Sequence, residues 1–163
     1  MLIARALLDE LIAHAREEAP NECCGVVAVE FDRSTAPPSQ AAVGSAAVDP
    51  ALRAVSPGGS ARAARVHRTV NTAASPLKFE VDGKELLRVI DAIERDGREL
   101  GAIYHSHTRT APYPSQTDIN FAANWPGVEW IIVGLAGGED AEVRSYLIEE
   151  GQVVEVAIEE TAM

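Results

Sequence analysis

The sequence predicts an α/β protein whose mixed β-sheet is flanked by helices. Three segments with helical periodicity alternate along the chain with about seven short apolar runs of the kind that form strands. The chain has 163 residues, enough for a hydrophobic core, and no repeat or low-complexity linker divides it. We therefore predict a single domain over residues 1–163.

Three helices are predicted from their periodicity and from the residues at their ends. The first covers residues 3–16, where apolar residues recur at i, i+4 and i+8 and Pro20 follows. The second runs from about Asp82 to Asp96, and Gly97 stands where a left-handed C-terminal cap is favoured. The third is a short helix over Ser115 to Ala123.

Strands are predicted where short apolar and β-branched runs lie between turn-forming residues. In chain order these runs read CGVVAVEF, AAVGSAAV, ARVHRTV, ELGAIYHSH, VEWIIVGL, EVRSYLI and QVVEVAI. Two segments rich in proline, serine or glycine, DRSTAPPSQ and DPALRAVSPGGS, are predicted to be loops.

The composition argues against two classes of partner. A formal net charge of −11 is unsuited to a protein that binds the phosphates of nucleic acid. No apolar run reaches the ~20 residues of a membrane span. Arg5, Asp9 and Glu10 interrupt the N-terminal segment, which a signal peptide would keep apolar. We predict a cytoplasmic protein that binds neither nucleic acid nor membrane.

Two neighbouring cysteines, Cys23 and Cys24, are the only ones in the chain. Their number excludes a disulfide framework, and a structural zinc site built on cysteines normally needs two spaced pairs. Free cysteine is among the most buried residue types. We therefore expect these thiols to pack at the start of a buried strand.

The stretch YHSHTRTAPYPSQTD, residues 104–118, holds the residues that indicate chemistry. His105 and His107 are two apart at the end of a predicted strand, so their side chains point to the same face. A turn-rich segment leads to the next helix, whose first turn can bring Asp118 to the same point. Two imidazoles and one carboxylate with an open fourth position are typical of a catalytic zinc site.

Each half of this pattern has a simpler interpretation on its own. Surface pairs of histidines are common, and Ser115 to Asp118 also fits an N-cap pattern without any metal. The two roles are compatible, because a carboxylate in the first helical turn can cap and still reach an ion. The full spacing H-x-H-x7-S-x2-D is far more specific than either half. His67, on a predicted strand, is a weaker candidate for lining a substrate groove.

The combined motif resembles the signature of the JAMM (MPN+) metalloproteases. The matching positions are His105, His107, Ser115, Asp118 and, far upstream, Glu22. The segment NTAASPLKFEVDGKEL is similar to the one that precedes the central helix in the bacterial Mec-type branch of this family. The resemblance covers most of the chain.

This resemblance implies a cytidine-deaminase-like α/β fold, one zinc ion per chain and hydrolysis of peptide or isopeptide bonds. His105, His107 and Asp118 would bind the zinc. Glu22 would be the general base that takes a proton from the attacking water and passes it to the leaving amine. Ser115 would donate a hydrogen bond to the oxyanion, with helix capping as its alternative role.

The implied partner is a small β-grasp protein, ubiquitin-like or a sulfur carrier, that ends in Gly-Gly. The segment INFAANWPG after Asp118 is too short for the insertion with which eukaryotic relatives grip ubiquitin. In the Mec-type branch the implied reaction releases cysteine from a CysO-like carrier, and a general desampylase-like activity is the alternative. Formation of a homodimer stays open.

Two other classes of protein share parts of the pattern. A catalytically silent MPN-type scaffold typically lacks one or more of the glutamate, the two histidines and the aspartate, and all four are present here. A RadC-like, DNA-associated protein also carries His-x-His followed by Ser and Asp. The acidic charge and the lack of an N-terminal helix-hairpin-helix region disfavour that class.

Overall fold

The computed structural model describes residues 1–31, 61–138 and 140–161. In these ranges three helices accompany one eight-stranded mixed sheet, which confirms the predicted α/β architecture. The helices are α1 (Arg5–Glu18), α2 (Gly83–Arg95) and α3 (Gln116–Ala122). The strands are β1 (Leu2–Ala4), β2 (Cys24–Phe31), β3 (Ala61–Thr69), β4 (Glu99–His107), β5 (Glu129–Gly134), β6 (Glu142–Glu149), β7 (Gln152–Val156) and β8 (Glu159–Thr161).

The sheet places β4 near its centre. The strand order is β7-β6-β5-β4-β2-β3-β1-β8, and β4 pairs in parallel with β5 and antiparallel with β2. Alternate residues along a strand face opposite sides of the sheet, and each side has its own core. Tyr104 packs in the core that contains Leu11 of α1, whereas Ile103 packs in the core that contains Ile93 of α2. His105 therefore faces the side of the sheet that α2 covers.

Two predicted strands have the predicted bounds, and the other predicted elements within the described residues agree to within three residues at each end. β2 and β4 cover CGVVAVEF and ELGAIYHSH residue for residue. Asp82 caps α2 by accepting hydrogen bonds from the N–H groups of Lys84 and Glu85. Gly97, just past the end of α2, has a φ of 72°, the left-handed conformation that its position predicted. Within the described ranges, no helix has the length and apolar character needed to cross a lipid bilayer.

The beginning of the first helix differs from the prediction. Residues 2–4 form β1, and α1 begins only at Arg5. β1 pairs in parallel with β3 and β8, so hydrogen bonds to distant segments override the local helical periodicity. β1 and β8 each have three residues, too few to show a period in the sequence. The predicted strand AAVGSAAV and the two predicted loops lie outside the described residues.

Gly25 lies on β2 at a point that leaves no room for a side chain. A Cβ atom there would collide with the backbone oxygen of His67 and would lie 2.5 Å from Cε1 of Tyr104. We expect Gly25→Ala to lower the free energy of unfolding by about 1–3 kcal/mol, because a strand backbone and a buried ring cannot move aside easily.

Gly83→Ala is the matched control, measured in the same way by urea denaturation followed by circular dichroism. Nothing lies within 4 Å of a Cβ at Gly83, which is the first residue of α2. Alanine favours a helix over glycine, so this variant should be neutral or slightly stabilised. Equal destabilisation of both variants would contradict the packing argument.

Candidate active site

The two histidines of β4 converge at the carboxyl end of the strand. His105 is fully buried, and His107 is 6% exposed. Their Nε2 atoms lie 3.1 Å apart. The spacing of two residues along a strand thus brings both imidazoles to one point, as the sequence predicted.

The first turn of α3 brings Asp118 to this pair. Oδ1 of Asp118 lies 3.3 Å from Nε2 of His105, and Oδ2 lies 3.6 Å from Nε2 of His107. Ser115 is the N-cap of α3: its Oγ accepts a hydrogen bond from the N–H of Asp118, and its own N–H donates to Oδ2 of Asp118. The predicted capping pattern is therefore present, and it holds the carboxylate against the histidines.

The spacing of these three donor groups fits a metal ion. A tetrahedral zinc ion with bonds of about 2.0–2.1 Å keeps its ligand atoms about 3.3–3.4 Å apart. The two Nε2 atoms lie 3.1 Å apart, and each has one oxygen of Asp118 at a similar distance, Oδ1 at 3.3 Å from His105 and Oδ2 at 3.6 Å from His107. One donor atom from each of the three residues lies within 4.8 Å of the other two. His105, His107 and Asp118 could therefore hold one metal ion.

The surroundings of the two imidazoles also favour metal binding. Nδ1 of His107 lies 3.0 Å from the carbonyl oxygen of Ala111, and donation of its N–H there leaves Nε2 free to bind a metal. The ring of His105 stacks on Phe79, with centroids 4.6 Å apart, and meets Trp130 at a steep angle. These contacts fix the ring orientations and exclude water from the buried side of the site.

Glu22 lies two residues before the first residue of β2, on the wall of the catalytic cavity. We use this term for the cavity of about 170 Å³ that Glu22 lines together with His107, Ser115 and Asp118. Glu22 is only 6% exposed. The antiparallel pairing of β2 with β4, rather than closeness in sequence, carries this carboxyl to the histidines. The structure thus brings the predicted site residues together, with His105 buried immediately behind the cavity wall.

The pKa values of the acidic groups differ because their neighbours differ. Burial raises the pKa of Glu22 to about 7, while His107 opposes this shift and Asp118 adds to it. Burial alone would raise the pKa of Asp118, but its hydrogen bonds to the two histidines outweigh burial and hold that pKa well below its usual range. Asp118 is therefore ionised, whereas Glu22 can gain and release a proton near neutral pH.

The pKa values of the histidines differ in direction. Burial dominates at His105 and lowers its pKa, although Asp118 opposes the shift. Burial also acts to lower the pKa of His107, but Asp118 and the carbonyl of Ala111 favour the charged ring and raise the pKa overall. The lowered pKa favours the neutral form of His105, the form in which histidine binds metals.

Ser106, Cys23 and Cys24 are buried and contribute to the packing and hydrogen bonding of the fold. Oγ of Ser106 accepts a hydrogen bond of 2.8 Å from the N–H of Cys23, and the N–H of Ser106 donates to the carbonyl of Cys23. Burial raises the thiol pKa to about 12 for Cys23 and about 11 for Cys24. Both thiols are buried, as the sequence predicted, and the raised pKa values keep them neutral. His67 does not contribute to the wall of the catalytic cavity.

Sequence reasoning missed Asn71, whose buried side-chain amide holds Glu22 in place. Its Nδ2 donates to the carbonyl of Glu22 at 2.9 Å and to the carbonyl of Lys78 at 3.1 Å. Its Oδ1 accepts from the N–H groups of Ala73 and Glu80, both at 3.0 Å. One side chain thus fixes the segment that forms a wall of the catalytic cavity. The segment NTAASPLKFE has neither helical nor strand periodicity, and nothing in its pattern singles out the asparagine.

We expect Asn71→Asp to lower the free energy of unfolding by about 1–3 kcal/mol, because a buried carbonyl loses its donor and faces a carboxylate instead. The substitution keeps the size of the side chain and its acceptor oxygen. Thr72→Val is the control, since the hydroxyl of Thr72 donates from an exposed position to the carbonyl of Glu80, whereas Asn71 donates to the carbonyl of Glu22. Its effect should stay within about 0.5 kcal/mol in urea denaturation. Equal losses of stability in the two variants would show that Asn71 is no more important to the fold than Thr72.

The pKa of Glu22 predicts how the stability of metal-free protein changes with pH. This carboxyl has a raised pKa of about 7 in the folded chain against an ordinary value of 4.5, so the folded state holds its proton more tightly. We expect chelator-treated wild type to lose stability relative to Glu22→Gln as pH rises from 4.5 to about 7. Above that pH the difference should be constant. Urea midpoints over a pH series test this, and a constant difference throughout would contradict it.

The fold and the buried group define an α/β protein with a candidate metal centre at the end of its central strands. Comparison with known proteins gives the family. The family model described as prokaryotic homologs of the JAB domain matches residues 4–149. The chain belongs to this family.

Individual relatives agree with this assignment. The CysO-cysteine peptidase of Mycobacterium tuberculosis is 33% identical over 156 residues, which cover 95% of this chain and 88% of the relative. The desampylase of Haloferax volcanii is 30% identical over 156 residues, covering 93% and 91%. A solved JAB1/MPN domain protein from Archaeoglobus fulgidus superimposes with a TM-score of 0.56 at 17% identity, covering 99% of this chain and all of that one. The predicted JAMM/MPN fold is confirmed, and the chain is a JAMM-type hydrolase.

Proposed function

We propose that the chain is a zinc metallopeptidase that hydrolyses the peptide or isopeptide bond after the C-terminal Gly-Gly of a small β-grasp carrier protein. It would hold one zinc ion per chain and release cysteine or another adduct from the carrier. The observation that carries the proposal is the position of Glu22 on the same cavity wall as His107 and Asp118. The names of the relatives, a CysO-cysteine peptidase and a desampylase, support this class of substrate.

Each site residue has a role in the proposed reaction. His105, His107 and Asp118 would hold the zinc, which when bound polarises a carbonyl group and makes water more acidic. Glu22 takes a proton from the attacking water and delivers it to the leaving amine, which leaves poorly as an anion. Its place on the wall of the catalytic cavity, beside His107 and Asp118, suits both transfers.

Ser115 would donate a hydrogen bond to the oxyanion that forms at the scissile carbonyl. Its hydroxyl lies 2.7 Å from Oδ2 of Asp118. A hydroxyl has one proton, so Ser115 must turn that proton from Asp118 toward the oxyanion during the reaction. Its backbone N–H would continue to hold the carboxylate.

The shape of the catalytic cavity supports a tail without side chains. Its volume of about 170 Å³ is smaller than the roughly 300–1,000 Å³ of pockets that enclose a drug-sized ligand. Leu77 and Phe79 form one wall, and Thr110 and Ser115 contribute to the rest. A Gly-Gly tail lets its backbone approach such walls closely, because glycine has no Cβ.

A hydrolysis assay with a carrier that ends in Gly-Gly and carries a C-terminal adduct tests the proposal. Purified protein should contain close to one zinc per chain by mass spectrometry of the metal. It should release the adduct, lose that activity when a chelator removes the zinc, and regain it when zinc is added back.

The most informative substrates are β-grasp carriers encoded in the same genome, with a carrier lacking the terminal Gly-Gly as the control. If zinc-loaded protein binds such a carrier but cleaves none of its conjugates, the peptidase proposal is wrong and the silent scaffold is supported. Salt-sensitive binding to DNA without cleavage would instead favour the RadC-like class.

A further inference from the structure

A second cavity, which we call the outer cavity, adjoins the catalytic cavity. It has a volume of about 450 Å³, and its lining residues include Pro20, Thr108, Leu135 and Arg109. Arg109 also lines the catalytic cavity, and it is the one described residue common to both. Arg109 therefore lies where the catalytic cavity and a larger space adjoin.

Arg109 is exposed, and none of the ion pairs among the described residues includes it. This is unexpected in a chain with 25 acidic and 14 basic residues, where acidic partners are plentiful. Lys78, the other cation on the catalytic cavity wall, lies 3.5 Å from Oε1 of Glu80. Of the lysine and arginine residues described on the wall of the catalytic cavity, Arg109 is thus the one outside any ion pair, and its charge is available to a ligand.

The preferred ligand of a guanidinium group is a carboxylate or phosphate, which it binds through two parallel hydrogen bonds. The proposed reaction supplies a carboxylate when the adduct is an α-amino acid. The nitrogen of the scissile bond is then the α-nitrogen, and the carboxylate oxygens lie about 3–4 Å from it by ordinary bond lengths. An isopeptide bond to a lysine side chain places only methylene groups there.

We propose that Arg109 binds the α-carboxylate of an amino-acid leaving group, whose side chain then occupies the outer cavity. This inference rests on the proposed function. The step itself is plain hydrolysis: the C–N bond after Gly-Gly breaks, the water oxygen bonds to the carbonyl carbon, and the amine gains a proton. Arg109 thereby makes the site selective for adducts with a free carboxylate over isopeptide-linked proteins.

Two conjugates of one carrier test this proposal. One carries an amino acid with a free carboxylate after Gly-Gly, and the other carries the same amino acid as its carboxamide. We expect wild type to favour the carboxylate about ten- to a hundredfold in kcat/KM, the usual effect of a charge-assisted hydrogen bond. Arg109→Gln should abolish this preference, and Arg109→Lys should retain part of it, because a lysine keeps the charge without the paired donors.

Lys78→Gln is the matched control, since it removes a positive charge from the catalytic cavity wall at another position. It should keep the preference for the carboxylate. Equal cleavage of the two conjugates by wild type, an undiminished preference in Arg109→Gln, or its loss in Lys78→Gln would each overturn the assignment of Arg109. Failure of zinc-loaded wild type to cleave either conjugate would count against the proposed function itself.

Discussion

Glu22→Gln is expected to lower kcat by about 10²–10⁴-fold, the usual contribution of a general base. Glutamine keeps the shape of the side chain but cannot accept the proton of the attacking water. Because Glu22 is not one of the three grouped metal-ligand candidates, the variant should retain its zinc. Single-turnover hydrolysis together with metal analysis of the same sample measures both quantities.

The control for this variant is Glu18→Gln, which makes the same chemical change at an exposed position on α1. It should cleave as fast as wild type. Unchanged cleavage by Glu22→Gln would show that another group acts as the base. Loss of zinc from Glu22→Gln would instead mean that its carboxylate takes part in holding the metal, and the two roles would have to be reassigned.

Asp118→Asn is expected to weaken zinc binding by about a hundredfold or more and to lower activity in parallel, because the site loses its only anionic ligand. An amide oxygen can still cap α3, so the helix should remain folded. A loss of zinc affinity in this variant would therefore reflect the missing ligand and not the unfolding of α3. Equilibrium dialysis with zinc, followed by activity at saturating zinc, measures the effect.

Ser115→Ala serves as the comparison for Asp118→Asn. It removes the hydroxyl that lies 2.7 Å from Oδ2 of Asp118 but leaves all three proposed ligands and the backbone N–H in place. Zinc affinity should fall by about tenfold at most, and kcat should fall about 10²–10³-fold through loss of the oxyanion donor. If Asp118→Asn binds zinc as tightly as wild type does, the proposed ligand set is wrong.

The sequence predicts those parts of the site whose residues lie close together in the chain. Two histidines two residues apart on a strand must share a face, and a helix that starts at Ser115 must place Asp118 in its first turn. The position of Glu22 could not be derived in this way. Its approach to His107 depends on the pairing of β2 with β4, which only the resemblance to a known family suggested.

The parts that could not be predicted depend on contacts between distant segments. β1 looks helical in the sequence, and only its pairing with β3 and β8 makes it a strand. Asn71 acts through four hydrogen bonds that an irregular segment folds around it, and no periodicity marks such a residue. The role proposed for Arg109 could not be predicted either, because it depends on the two cavities that this residue lines.

The paired hydrogen bonds between Ser106 and Cys23 have a consequence for the order in which the site assembles. They join positions that are 83 residues apart, whereas the grouped histidines and aspartate come from β4 and the helix that follows it. Contacts between distant segments form late in folding because closing a long loop is entropically unfavourable. A chain in which β4 and α3 have folded could therefore already capture an ion while remaining inert. The proposed hydrolytic activity would then arise only with the docking of β2, because that pairing brings Glu22 to the site.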